Sequence, residues 1–546
     1  MTANLVNKVK EKINYQRLQA ARAASGQQIL LMEKTIIEHA PERSGQPMIL
    51  FNASTRISGM SLNAAYNLLT GWALRLQGVP VVQWTCRSGL NPCILGTNRD
   101  NPYAEPPCRD CLRQSGLIYP VSTSPSFQTR WMEPGQQPQL EQALRGLSVA
   151  ELSAFEYEGI PLGKLVLPGL RWVLRRHHLT EDESTSYLFR KYLLSAYQTS
   201  NQFQRLVSEV QPRAVLVFNG QFYPEAAVRW IAQQNGVPVI AHEVGLQPMS
   251  AFFTPGEATA YPINIPPGYQ LSPQQEERLD AYLAQRFQGN FSMAGIRFWP
   301  SIQPLSTEME TRLSNFRQMV PIFTNVVFDT SQSHANVLFE HMFAWLDQVL
   351  EIIRARPETL FILRAHPDEF RAGKASRETV AQWVQARHAA DLPNLIFLDA
   401  DEFISSYELI HRAKFVMIYN STIGLEASIL GAPVLSGGKA RFTQLNTVFF
   451  PASAEDHRAQ AEAFLSAEEI EIPAEFISNA RLFLYYQLFR TSLPMGQYLQ
   501  EEGFWRGFVT LKPFNWQDLL PENSPAIKAI IGGLVHGGDF LLEDQR

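Results

Sequence analysis

The stretch Phe415-Val416-Met417-Ile418-Tyr419-Asn420-Ser421-Thr422-Ile423-Gly424-Leu425-Glu426, closed by Gly431-Ala432-Pro433-Val434, decides the fold. Four apolar residues make a buried strand, the polar triplet that follows turns the chain, and a short helical segment ends where Gly431 and Pro433 stop it and open the next strand. At such a strand-to-helix turn the free backbone N–H groups and the helix dipole favour an anion. The hydroxyls of Ser421 and Thr422 add donors. A phosphate is the guest this chemistry fits, and Glu426, one turn further on, is placed to accept from a ribose. The plainer reading of the same residues is an ordinary helix cap beside a surface glutamate.

Upstream the same alternation recurs. A strand is expected over 321–328, a helix over 336–354, and strands over 359–363, 395–398, 415–418 and 433–435. Arg364-Ala365-His366-Pro367 follows the 359–363 strand, and because Pro367 cannot continue a sheet, His366 is held at the strand's carboxyl end. There it can donate to a phosphate oxygen or, protonated, neutralise a leaving group. Read alone, the His-Pro pair is a structural turn; with the Asn-Ser-Thr loop beside it, the phosphate role is preferred. Asp399-Ala400-Asp401 has the form of a metal-binding pair, but its loop with Ser405, Ser406 and Tyr407 reads as a solvated turn, with Tyr407 a contact for a nucleotide base.

A second alternating region lies N-terminal to this one. Met48–Phe51 is a strand, the loop 52–59 holds Ser54, Thr55, Arg56 and Gly59, Ser61–Leu76 is a helix and Val79–Trp84 the next strand. Ala214–Phe218, a loop with Asn219-Gly220, a helix over 225–234 and a strand over 237–241 repeat the pattern. Ala241-His242-Glu243-Val244-Gly245 follows, with Glu243 the candidate general base for an acceptor hydroxyl or, less interestingly, a cap or salt-bridge partner. Gly245 would allow close backbone approach to a ligand. Two parallel-sheet domains in tandem follow from these patterns.

All four cysteines, Cys86, Cys93, Cys108 and Cys111, fall in one Pro-rich loop. The C-x-x-C pair and the wider first pair suit a closed, structural zinc, with no spare position for catalysis. Reduced thiols, a disulfide or an iron–sulfur cluster are the alternatives.

The 546 residues, 45% apolar and 18% charged, supply more than one core and no disorder signature. A net charge of -5 with scattered Lys and Arg offers no basic stripe for nucleic acid. No apolar run spans a bilayer and the charged start is unlike a signal peptide, so a cytoplasmic protein is expected. The N-terminal helix, apolar at Leu5, Val6, Val9 and Ile13, packs on the protein's own body or associates peripherally with a partner or the inner membrane face.

The run Thr324-Asn325-Val326-Val327-Phe328-Asp329, with Phe339, Trp345-Leu346, Arg364-Ala365-His366-Pro367-Asp368-Glu369 and the 419–434 stretch, resembles bacterial capsule polysaccharide biosynthesis glycosyltransferases. The resemblance is good over roughly 210–450. It implies a GT-B fold: two Rossmann-like parallel-sheet domains facing a cleft, with an N-terminal helix and a C-terminal helical cap. In related enzymes using CMP-activated acidic sugars, a His-Pro motif and a Ser/Thr motif bind the nucleotide, which falls here on His366-Pro367 and Ser421-Thr422. Their acidic motif ending in Gly falls on Glu243-Val244-Gly245, where Val244 replaces the second acid. The spacing from Glu426 to Gly431 resembles the ribose-binding end of other GT-B enzymes, though Ile418 stands where retaining ones carry an acid.

The expected organisation is a helical extension over 1–45, an acceptor domain over 46–310 with the cysteine loop 86–111, a nucleotide-sugar domain over 311–475 and a helical cap over 476–546. The expected activity is sugar transfer from a CMP-, UDP-, GDP- or dTDP-linked donor to a surface-polysaccharide, glycan or lipid-linked acceptor, with no catalytic metal. Glu243 and His366 are the catalytic candidates, and Asn325, Arg364, Asn420, Ser421, Thr422 and Glu426 would bind the donor. A sugar-nucleotide epimerase and a non-catalytic sugar-nucleotide or glycan-binding protein are the alternatives.

Overall fold

The computed structural model describes residues 2–53, 59–90, 92–119, 127–260, 262–288, 305–371, 373–503 and 507–544. Ser54, Thr55 and Arg56 lie outside them, as do the side chains of Leu5, Val6, Val9 and Ile13. The chain forms two compact units. The first comprises Met1–Val173, Thr180–Ala258 and Phe489–Asp544; the second comprises Leu174–Leu179, Thr259–Leu488 and the last two residues.

Unit 1 is built on a seven-stranded sheet. Its order is Leu493–Pro494, Ser250–Pro255, Val239–Val244, Ala214–Phe218, Met48–Asn52, Val81–Cys86 and Phe127–Met132. The last five strands run parallel, and the first two add antiparallel to that edge. Helix Leu62–Leu76, capped by Ser61, is buried almost along its whole length. Burying each large side chain such as Leu69 or Leu74 contributes ~1.5–3 kcal/mol. The N-terminal helix Thr2–His39 belongs to this unit, where the Glu33 carboxylate takes the Trp72 indole N–H at 2.6 Å and pairs with the buried Arg75.

Unit 2 carries a five-stranded, wholly parallel sheet in the order Leu395–Leu398, Thr359–Arg364, Gln318–Phe323, Val416–Ile418 and Val434–Ser436. All of Thr359–Arg364 is buried, as a continuous apolar run in a doubly covered parallel strand requires. The strand expected over 321–328 ends at Phe323, because Thr324 and the residues after it leave the ladder to tie neighbouring loops together. The helix expected from 336 begins at Met342, with His341 as its cap.

The C-terminal segment is not the expected helical cap. Helix Glu475–Tyr485 stays with unit 2, whereas Phe489–Asp544 returns to unit 1. There Leu493–Pro494 extends the large sheet, and Leu499–Glu501 and Phe508–Leu511 join Met60–Ser61 in a small antiparallel one. In Phe508–Leu511 burial alternates residue by residue, a strand period that the aromatic content concealed. The unit boundary falls at 258/259, not at 310, so the Pro-rich stretch after it begins unit 2. Among the described residues no helix is long and apolar enough to cross a membrane.

Candidate functional site

Parallel strands bring their carboxyl-end loops to one edge of a sheet. In unit 2 the loops after Gln318–Phe323, Thr359–Arg364 and Val416–Ile418, three adjacent strands, are laced together there. Thr324 donates its hydroxyl to the Arg364 carbonyl at 2.9 Å, and Asn325 Oδ1 accepts the Asn420 amide at 3.1 Å. Asn420 Oδ1 in turn accepts from Gln332 at 3.4 Å. Asn325, Asn420, Ser421 and Thr422 are thus brought together, with His366 on the next loop. The Thr422 side chain makes no capping bond to the helix Ile423–Ile429, unlike an ordinary cap threonine. A Cβ at Gly424 would lie 2.3 Å from Ile418 Cδ1, so glycine is what allows the chain to turn this tightly off its strand.

His366 Nδ1 accepts the backbone N–H of Asp368 at 3.1 Å, which leaves the ring proton on Nε2. Burial holds its pKa below the ordinary histidine value, against the opposing pull of Asp368 and Asp329. Both favour a neutral ring that donates through Nε2–H, the first of the two forms the sequence allowed, over the protonated one. Around it the charge is mixed. Arg371 pairs with Asp368 at 3.2 Å, and the Lys374 pKa is lowered by desolvation and then by Arg371, with Asp368, Arg175 and Asp329 also in range. Arg175, buried and packed 4.9 Å over the Phe328 ring, comes from the Leu174–Leu179 segment. These three cations were missed. Arg371 and Lys374 follow the His-Pro turn closely enough to have been found; no local pattern points to Arg175.

Two expected donor ligands are employed otherwise. The Arg364 guanidinium is buried and donates to the Ile404 carbonyl at 2.5 Å, to Ser406 Oγ at 3.0 Å and to the Glu402 carbonyl at 3.3 Å. Burial lowers its pKa to about 10. It braces the 402–406 loop because its strand lies inside the sheet, next to Leu395–Leu398. Glu426, 4% exposed, gives one carboxylate oxygen to Arg286 and the other to the Tyr407 hydroxyl, each at 2.5 Å. A buried carboxylate needs such partners, so Glu426, expected to accept from a ribose, and Tyr407, expected to contact a base, are joined here in an internal network with Arg286. The Asp399–Asp401 loop is a turn, with Asp399 Oδ1 accepting the Ala400 amide at 2.7 Å.

In unit 1, Glu243, next to last in the strand Val239–Val244, has a fixed carboxylate. Oε1 accepts the Val244 amide at 2.9 Å and the Asn63 side chain at 3.4 Å; Oε2 accepts Asn219 Nδ2 at 3.0 Å. Asn219 is itself in the left-handed region, with φ of 57°. Gly245 allows the close packing of the hairpin, since a Cβ there would lie 2.4 Å from Ser250 Oγ.

The four cysteines line one pocket together with Pro106, Pro107, Leu90 and Leu95, but no three of their sulfurs are drawn close enough together, as they stand, to share a metal ion. Burial raises the Cys86 thiol to about 11 and Cys93 to about 12. Backbone N–H groups face both sulfurs, that of Gly96 reaching Cys93 Sγ at 3.1 Å.

Two α/β units, each centred on a sheet of parallel strands with the expected site residues in loops at the strands' carboxyl ends, give the fold of the GT-B class. Residues 303–447, the span that holds Asn325, His366 and Asn420–Thr422, match the family described as capsule polysaccharide biosynthesis protein. Solved structures similar to the chain include KpsC, the beta Kdo 2,4 transferase of Thermosulfurimonas dismutans, at 11% identity over 55% of this chain and 84% of that one, with a TM-score of 0.35. The UDP-GlcNAc 2-epimerase of Neisseria meningitidis bound to UDP-GlcNAc is 15% identical over 59% and 88%, with a TM-score of 0.24. The spinosyn rhamnosyltransferase SpnG is 11% identical over 81% and 95%, with a TM-score of 0.25. No curated protein matches.

Proposed function

We propose that the chain is a glycosyltransferase of capsule or surface-polysaccharide synthesis, taking a nucleotide-activated sugar in unit 2 and using Glu243 of unit 1 as the base on the acceptor hydroxyl. The observation that carries the reading is His366, held as a neutral Nε2–H donor beside the laced Asn325 and Asn420–Thr422 loops, within the span that matches the capsule family. Donors fixed in advance at the point where a leaving phosphate gains charge stabilise the transition state more than the ground state. Arg371 and Lys374 supply positive charge of the kind a metal supplies in other transferases. The donor nucleotide is read by panel: CMP-, UDP-, GDP- and dTDP-sugars are assayed for consumption with and without a glycan or lipid-linked acceptor. Acceptor-dependent consumption supports the transferase. Conversion of the donor alone would make the chain an epimerase, and binding without turnover a carrier.

The four thiols are proposed to hold a structural zinc. Their shared pocket and the N–H groups facing Cys86 and Cys93 support that reading, because such donors stabilise bound thiolates. A Cβ at Gly96 would fall 3.0 Å from Cys93 Sγ, so glycine permits the close approach. Metal analysis of purified protein should give one zinc per chain fewer in Cys108→Ser/Cys111→Ser, together with a fall in Tm; an unchanged zinc content would exclude the site.

A further inference from the structure

Three imidazoles meet in unit 2 away from the cysteines. One ring nitrogen each of His177, His178 and His341 lies within 4.8 Å of those of the other two. His177 is buried and His178 is open to solvent with 55% of its side chain exposed. Among the described residues this is the grouping of three ligand-type side chains drawn closely together.

The ring orientations are set by their outer partners. The His178 Nδ1–H donates to Glu378 Oε1 at 2.5 Å, and Glu378 Oε2 accepts the amides of His177 and His178 at 2.7 and 3.0 Å. That carboxylate is thereby fixed, and the His178 Nε2 lone pair points away from it. A carboxylate on the far nitrogen is the usual support of a metal-binding imidazole. His178 Nε2 and His341 Nε2 stand 3.2 Å apart. Two nitrogens sharing a tetrahedral zinc at its ordinary bond length stand about 3.3 Å apart.

We propose that His177, His178 and His341 form a site for a zinc-class divalent transition metal, with Glu378 orienting His178 and a fourth position open to water. Without metal, His341 Nδ1 accepts the Ala344 amide at 3.1 Å as a helix cap, so its proton sits on Nε2 and points at His178. Metal binding moves that proton to Nδ1 and gives up the cap bond, worth about 1 kcal/mol. Three metal–nitrogen bonds exceed that cost. The ion would pin the Leu174–Leu179 segment, which carries Arg175, to the start of helix Met342–Ala355. Met342 in turn receives the Asn325 amide on its sulfur at 3.2 Å, so the site adjoins the donor loops without depending on what they bind.

The test is zinc per chain after equilibrium dialysis of the full-length protein, compared with His178→Ala/His341→Asn, in which asparagine keeps a capping side chain. The unchanged chain should hold one zinc more than the variant, and Glu378→Gln should weaken that zinc about 10-fold or more. Equal zinc counts would overturn the site and leave the trio a hydrogen-bonded cluster. Cobalt titration of the unchanged protein needs no variant: one equivalent should add d–d bands with no thiolate-to-cobalt charge transfer, which separates it from the cysteine site. Absence of that equivalent would also overturn the proposal.

Discussion

The backbone amide of Asn420 donates to Oδ1 of Asn325 across 3.1 Å, joining the loops after two neighbouring strands of the unit 2 sheet. Asn325 thus holds the Asn420–Thr422 loop in place, and in the proposed function it would act on the donor through that loop. Asn325→Ala leaves that amide without its acceptor, at a cost of about 1–3 kcal/mol if water does not replace it. Asn325→Asp keeps an acceptor oxygen. Nucleotide-sugar affinity by calorimetry should fall about 10-fold or more for the alanine variant and much less for the aspartate; equal losses would mean that the Asn325 amide group itself contacts the ligand.

His366 as a neutral donor sets a pH signature. Its pKa is below the usual histidine value because of burial, so lowering pH through 6.5 should leave turnover unchanged until a more acidic range. His366→Ala removes the Nε2–H and should lower kcat by about 10²–10³, with Tm little changed, while His366→Gln should recover part of the rate through its own N–H. A wild-type rate that needs a protonated histidine, rising as pH falls through 6.5, would show that the ring acts as a cation.

The sheets were legible because buried parallel strands are long apolar runs: Ala214–Phe218, Thr359–Arg364 and Leu395–Leu398 stand within a residue of where the sequence put them. The turns after them were legible through Pro367 and Gly431. What a side chain does inside its turn was not. Arg364 and Glu426 lie in motif positions, yet one supports a loop and the other meets Arg286 some 140 residues away in sequence. Arg175 and the histidine trio depend on an excursion of six residues, Leu174–Leu179, whose packing no local periodicity encodes.

The Arg286–Glu426 pair is buried on both sides, with side chains 4% and 5% exposed. Removing one partner strands a charge, so Glu426→Ala and Arg286→Ala should each cost about 3–5 kcal/mol in urea unfolding of the transition that reports unit 2. The double variant should cost much less than their sum. Donor binding lost in Glu426→Gln without loss of stability would instead restore a direct ligand role for this carboxylate.

Glu369, one residue beyond Asp368 in the His366 turn, is buried with Oε2 accepting the Val380 amide at 3.2 Å. Burial raises its pKa to about 8, far above the ordinary carboxylate. The folded chain therefore keeps a proton that the unfolded chain releases near 4.5, and between these values folding binds the extra proton. Stability must fall as pH rises through that window, by on the order of 1 kcal/mol per pH unit, and level off above pH 8. Glu369→Gln keeps the acceptor for Val380 and removes the titration. Its unfolding free energy should match the wild type near pH 4.5 and exceed it increasingly up to pH 8; parallel curves for the two proteins would show that Glu369 is ionised in the fold.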